Sequence, residues 1–125
     1  MKITAFNPLI LTSKSADTVA LLEELGSARA HTKTGIDENV TSIDLKYGED
    51  FRVDVAQVDS FAQDMTVIRM NVDDFDEAVE MLLSNGFRKS KIVGESYTPT
   101  SKYAFFVSPS GFVIDLIKHI KKEDK

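Results

Sequence analysis

The chain has 125 residues, of which 42% are hydrophobic and 28% are charged, a size and composition typical of one compact globular domain. It carries 15 lysines and arginines against 20 aspartates and glutamates, so its net charge is -5 and a nucleic-acid partner is not expected. It contains no cysteine, which excludes disulfides and thiolate metal ligands and fits a cytoplasmic location.

Apolar runs in the chain are short. The N-terminal stretch is interrupted at Asn7 and Pro8 and has no small-residue cleavage site, so no secretory signal peptide is predicted. No run approaches the ~20 apolar residues that a membrane-spanning helix needs. We therefore expect a protein with no membrane partner.

The first half of the chain, residues 1–58, predicts a strand, a helix and three further strands. Apolar residues at strand spacing indicate a strand over 2–11. A helix is predicted from Ser15 to a stop at Gly26, because four apolar residues share one helical face: Val19, Leu21, Leu22 and Leu25. Strands follow at 27–34, 40–47 and 50–58, and the first of these is polar and expected at a sheet edge.

The second half, residues 65–120, repeats this order. A strand is predicted over 66–72, and Asp74 with Glu77 has the spacing of a helix N-terminal cap. This helix ends at Asn85-Gly86 and is expected to turn five residues inward: Phe75, Ala78, Val79, Leu82 and Leu83. Strands are predicted at 88–95, 101–107 and 112–120.

The two halves also match in sequence. Residues 21–26 fall on 81–86, and residues 51–55 fall on 112–116, at offsets of 60 and 61. Short matches of this kind also arise by chance, but the shared order of elements favours a true repeat. We therefore predict one domain, 1–125, built from two βαβββ modules at 1–58 and 65–120.

Three local patterns carry a family resemblance over nearly the whole chain: residues 72–78 with Gly86-Phe87, residues 108–116, and residues 22–26. Together they resemble the vicinal-oxygen-chelate superfamily of glyoxalases, extradiol dioxygenases and bleomycin-resistance proteins. The resemblance implies an α+β fold in which two βαβββ modules with mixed sheets form a cleft and the helices lie outside. It also suggests a homodimer, because such modules often build clefts across subunits.

The resemblance places the family's metal ligands on the first and last strands of each module, where His and Glu are typical. The residues at those positions here are Asn7, Asp54, Val67 and Asp115. Val67 cannot bind a metal, Asn7 is a weak oxygen ligand, and each aspartate reaches roughly 1.5 Å less than glutamate. We predict neither a metal site nor another cofactor.

The histidines offer no replacement. His31 and His119 lie in different halves, show no metal-ligand spacing and are expected on the surface. Asp54 and Asp115 with an amide could still hold a hard Mg²⁺ or Mn²⁺ ion, but such a site would be weak.

If Asp54 and Asp115 face a common interior, their burial requires positive charge nearby. Arg52 and Arg69 have the strand parity of the cavity-facing residues, so internal ion pairs are predicted. The alternative is that these four side chains lie on exposed strand surfaces. The candidate ligand-binding residues are Asn7, Arg52, Asp54, Arg69, Tyr103 and Asp115.

The wall of this interior is expected to be apolar, with few polar anchors. Its expected residues are Leu9, Ala56, Val113 and Ile117, with aromatic rings from among Phe6, Tyr103, Phe105 and Phe106. Such a wall suits a small organic ligand, although the same residues also suit a closed core.

Three functions are compatible with these features. The first is a metal-free protein that binds a small apolar or amphipathic molecule, as in the family's drug-sequestering branch. The second is a lyase, isomerase or dioxygenase with a reduced metal site at Asp54 and Asp115. The third is a structural role without a pocket. No Ser/His/Asp or Cys/His arrangement and no glycine-rich phosphate loop is present to indicate another chemistry.

Overall fold

The structure is a computed structural model that describes residues 1–37, 40–48, 51–97 and 101–119, and the side chains of all of these except 30–42, 96 and 119. The first module contains β1 (Ile3–Thr12), α1 (Ser15–Glu24), β2 (Ala28–Asp37), β3 (Val40–Tyr47) and β4 (Phe51–Gln57). The second contains β5 (Met65–Val72), α2 (Phe75–Ser84), β6 (Arg88–Ser90), β7 (Ser96–Tyr97), β8 (Ser101–Val107) and β9 (Val113–His119).

The first module is a mixed sheet covered on one face by α1. Its strand order is β2-β3-β4-β1, with β1 and β4 parallel and the other pairs antiparallel. Val19 of α1 packs with Leu45 and Val55 of the sheet to form the core between them. The prediction that the polar strand lies at an edge is confirmed within this sheet, because β2 stands at the end of the order.

The second module has the same plan. Its order is β5-β9-β8-β6, with β5 and β9 parallel and β7 paired to β8. Phe75 and Ala78 of α2 pack on Phe106 and Leu116 of the sheet. The α+β class with two βαβββ modules is therefore confirmed.

The repeat is visible in the hydrogen-bond register as well as in element order. The aspartate of each last strand has a residue opposite it on each neighbouring strand: Leu9 and Asp44 for Asp54, and Arg69 and Phe105 for Asp115. These pairs are related by the same offsets, 60 for the first strands and 61 for the others, that the sequence shows. The two modules therefore present equivalent rows of side chains.

The chain divides into two compact units, residues 7–67 and residues 1–6 with 68–125. The first residues of the chain thus belong with the second module, where Lys2 bonds to Asp73, the residue after β5. The backbone N–H of Lys2 donates to Asp73 Oδ1 (2.7 Å), and Asp73 N donates to the Lys2 carbonyl (3.1 Å). The bond from Lys2 holds the pKa of Asp73 below its ordinary value.

The strand predicted over 88–95 is wrong for residues 91–95, which separate β6 from β7. Gly94 lies in this segment with a φ of 130°, a conformation that interrupts a regular strand. Across the gap, Lys89 Nζ donates to the Tyr97 hydroxyl (2.9 Å) and lies 3.2 Å from Glu95 Oε1. These contacts raise the pKa of Lys89 and tie the two short strands together.

On both helices, fewer apolar residues are buried than the sequence predicts. Leu21, Leu25 and Leu83 were expected to face inward, and each is more than half exposed. Each helix rests on a single sheet within its module, so only the residues nearest that sheet are covered. Both helices have ten residues, and within the described part of the chain no helix is long and apolar enough to cross a membrane.

The predicted cap of α2 is confirmed and gives a direct test of this fold. Asp74 Oδ1 accepts a hydrogen bond from Glu77 N (3.0 Å), whereas Lys14 at the same position of α1 makes no side-chain cap. Asp74→Ala should lower the free energy of unfolding by about 1 kcal/mol, because a helix N–H loses its acceptor. Lys14→Ala is the matched control and should change it by less than about 0.5 kcal/mol in urea denaturation. Equal losses in both variants would contradict the cap.

Candidate functional site

In the first module, the sheet face opposite α1 carries charged residues. Val53 and Val55 of β4 pack toward α1, so Asp54 between them points to the other face. Asp54 is fully buried, and Asp44, its partner across β3, is 2% exposed. Two carboxylates therefore lie side by side away from water.

Arg52 joins these two carboxylates. Its Nη2 lies 2.7 Å from Asp44 Oδ2, and its Nε lies 3.3 Å from Asp54 Oδ1. The Arg52 side chain is 37% exposed, so the guanidinium bridges buried anions on one side and reaches solvent on the other. The three side chains, which we call the first-module triad, carry a net charge of -1.

Asp44 was not among the candidate residues from the sequence. It lies between Ile43 and Leu45, which pack in the core on the α1 side, so its parity already assigned it to the opposite face. Its pairing with Asp54 depends on the β3–β4 register, which sets Asp44 directly across from Asp54. The sequence alone does not fix this register. Like charges at that position repel, and a cation between them is then required.

The second module has an ion pair on the corresponding face. Arg69 Nε donates to Asp115 Oδ2 at 3.0 Å, with the side chains 14% and 2% exposed. Tyr103 and Phe105 lie on the same face, because Ala104 and Phe106 pack on the α2 side. Their rings meet edge to face, with centroids 6.4 Å apart.

The modules neutralise equivalent aspartates with arginines from different positions. In the first module Arg52 precedes the aspartate by two residues on the same strand, and Val113 occupies that position in the second. In the second module Arg69 is opposite the aspartate on the first strand, where the first module has Leu9. Both modules have the aspartate at the equivalent position, but the arginine that pairs with it comes from a different position in each.

The predicted ion pairs are present, so the alternative that these side chains lie on exposed strands is wrong. The structure brings Arg52 to Asp54 and Arg69 to Asp115, and it places Tyr103 on the face of Asp115. Asn7 is buried, and its Nδ2 donates to the Pro8 carbonyl (2.9 Å).

Two aromatic residues are not where the sequence suggested. Phe6 is mostly exposed, and Phe106 belongs to the core beneath α2, so neither contributes to the expected wall. The side chains of His31 and His119 lie outside the part that the structure describes.

The residues at the family's metal positions do not fit a metal. Asp54 and Asp115 each accept from a guanidinium, Val67 has no donor atom, and the Asn7 amide is turned to the backbone. A divalent ion would have to displace arginine from a carboxylate and find further oxygen ligands. Among the residues described, no three His, Cys, Asp or Glu side chains converge in a way that could hold an ion.

No protein-family model and no curated protein matches this sequence. Solved structures do match it. Methylmalonyl-CoA epimerase from Mycobacterium tuberculosis is 16% identical with a TM-score of 0.69, over 98% of this chain and 92% of that one. The chain has the vicinal-oxygen-chelate fold.

Other solved structures match with comparable TM-scores. A hypothetical protein from Bacillus halodurans C-125 is 12% identical with a TM-score of 0.68, over 98% of both chains. A variant of the Streptomyces coelicolor epimerase in complex with 2-nitronate-propionyl-CoA is 15% identical with a TM-score of 0.67, over 96% of this chain and all of that one. Identities this low establish the fold alone.

The Arg69–Asp115 pair predicts an asymmetric response to substitution. Asp115→Asn should lower the free energy of unfolding by about 3 kcal/mol, because it removes the negative charge that Asp115 places beside a largely buried guanidinium. The double variant Arg69→Met with Asp115→Leu removes both charges and should recover more than about half of that loss. Urea denaturation at pH 7 measures both. A single variant as stable as the parent would show that the pair is not formed.

Proposed function

We propose that this protein binds a small organic molecule without a metal ion, on a strand face that lies opposite the helix of its module. The proposal rests on one observation: the carboxylates of Asp54 and Asp115 are each paired with an arginine guanidinium group. Arginine stays charged at all ordinary pH values and offers only hydrogen-bond donors, so it neutralises the carboxylates without creating a Lewis acid. A face of this kind can orient a ligand and offer it polar contacts, and both favour binding.

The composition of these faces supports an apolar or amphipathic ligand. In the first module Leu9, Leu11 and Ala56 share the face of the triad, and in the second Tyr103 and Ile117 share the face of the ion pair. All five are buried, so a ligand would reach the first of these faces at Arg52, which is partly exposed. Many apolar side chains with a few fixed polar groups are typical of small-molecule sites. Arg52 is the group proposed to contact ligand in the first module, because its guanidinium is held by two carboxylates and is partly exposed.

The charges favour a neutral or cationic ligand over an anion. The first-module triad sums to -1, the Arg69–Asp115 pair to zero, and the whole chain to -5. One protein of this fold is described in complex with methylmalonyl-CoA and NH4⁺, at 16% identity. A coenzyme A ester carries several negative charges, and among the side chains that the structure describes on these faces the positive charges do not outnumber the negative ones.

The other candidate residues are proposed to support the same binding faces. Asn7, Asp54, Arg69, Tyr103 and Asp115 are proposed to line the binding face or to position the groups that do. A cytoplasmic location and a homodimer stay predictions. A lyase, isomerase or dioxygenase using metal at Asp54 and Asp115 would require both ion pairs to open.

Calorimetric titration with three probes tests the proposal: metal-free bleomycin as a cation, Nile red as a neutral molecule and methylmalonyl-CoA as an anion. We expect saturable binding of the cationic or neutral probe, unchanged by EDTA, and at least about tenfold weaker binding of the coenzyme A ester. Arg52→Gln should weaken binding of the neutral probe by about tenfold or more, because the carbonyl oxygen of Nile red loses the guanidinium hydrogen-bond donors of the triad.

Lys46→Gln is the matched control, since Lys46 is paired with Arg52 across β3 and β4 and carries the same charge. It should change the affinity by less than about twofold. The proposal is wrong if none of the three probes binds, if binding requires a divalent metal, or if the two substitutions have equal effects.

A further inference from the structure

A cavity lies in the second module, on the opposite side of the sheet from the Arg69–Asp115 pair. Its volume is about 290 Å³, and it opens between the sheet and the C-terminal half of α2. Met70 and Leu116 line it from β5 and β9, and Ala78 and Met81 line it from α2. All of its lining residues belong to one compact unit of the chain.

The lining is rich in methionine. The chain has four methionines, and three of them, Met1, Met70 and Met81, line this cavity. Methionine side chains are flexible and polarisable, and proteins use them at apolar sites that adapt to a ligand. Met1 and Met81 are also nearly half exposed, so the cavity is open to molecules from solvent.

The first module shows that this lining is not a requirement of the fold. Positions 10, 21 and 25 correspond through the repeat to Met70, Met81 and Asn85, and they hold Ile, Leu and Leu. The contact between helix and sheet therefore uses branched side chains in the first module and methionines with an amide in the second. The methionines and Asn85 are a particular feature of the second module.

Asn85 gives the cavity one polar anchor. Its Nδ2 donates to the Met81 carbonyl at 2.7 Å, which fixes the amide orientation and leaves Oδ1 as the free acceptor of the side chain. A ligand with a hydroxyl group at one end could donate to this oxygen. The other side chains of the lining are apolar.

We infer that this cavity binds a small, uncharged, largely apolar molecule that carries one hydroxyl group, independently of the strand-face site. An apolar cavity of roughly 150 Å³ admits benzene, so this one suits a ligand of about 10–12 non-hydrogen atoms. 2-Naphthol has this size and shape, and 2-methylnaphthalene is an isosteric molecule without the hydroxyl.

The test is a titration of the full chain, labelled with ¹³C at the methionine methyl groups, with 2-naphthol. Saturable shifts should appear at Met1, Met70 and Met81, while Met65, which does not line the cavity, is the internal control and should not shift. 2-Methylnaphthalene should bind about fivefold more weakly, because it cannot donate to Asn85. Absence of saturable shifts, or equal shifts at Met65, would overturn the inference.

Two variants locate the site. Ala78→Leu places a larger side chain in the cavity and should abolish the saturable shifts, whereas Thr18→Leu, at the corresponding helix position of the first module, should leave the affinity within about twofold. If Ala78→Leu does not fold, Met81→Gln at the half-exposed rim should weaken 2-naphthol binding by about fivefold or more. Undiminished binding in the folded variant would place the ligand elsewhere.

These results are separate from those of the strand-face proposal. Arg52→Gln changes a different module and should leave 2-naphthol binding at the methionine-lined cavity unchanged. A loss of 2-naphthol binding in Arg52→Gln would mean that one site was being measured in both experiments.

Discussion

A carboxylate buried on the face of a sheet must have a positive charge beside it, and both halves of this chain are built around that requirement. Asp54 and Asp115 occupy equivalent places in their modules, each on the last strand and each almost without contact with water. Burial of an isolated anion would be very unfavourable. The neighbouring arginines therefore hold the strand faces in their folded arrangement.

The two modules meet this requirement in different ways, and the difference bears on function. Arg52 lies on the same strand as its aspartate, serves a second carboxylate and remains partly exposed. Arg69 lies on β5, opposite Asp115 on the parallel strand β9. It pairs with Asp115 and is more deeply buried than Arg52. The first module thus combines a fixed guanidinium with access from solvent, and the second is the more enclosed. This contrast is the reason for proposing Arg52, ahead of Arg69, as the group that meets a ligand.

Much of the strand-face arrangement could be predicted from the sequence because strand parity is strict. Arg52 and Asp54 are two residues apart on one strand, so their pairing needs no tertiary information. Arg69 and Asp115 are far apart in sequence, and their pairing follows only if the first and last strands of the module are parallel, as the repeat and the family resemblance implied.

The features that the sequence did not predict depend on register or on packing. Asp44 becomes part of the triad through the β3–β4 register, and the break before β7 arises from the conformation of Gly94. The exposure of Leu21 reflects how little of a helix a single sheet can cover. The methionine-lined cavity depends on unfilled volume between side chains, which no periodicity in the sequence reports.

The central claim is that arginines, and not a metal ion, pair with Asp54 and Asp115. Thermal denaturation of the protein treated with EDTA, repeated with Mg²⁺, Mn²⁺, Ni²⁺ or Zn²⁺, tests it directly, because an ion that binds the native state raises the melting temperature. The account predicts a change of less than about 1 °C with every ion. A rise of about 4 °C or more that EDTA reverses and that Asp54→Asn or Asp115→Asn removes would contradict it.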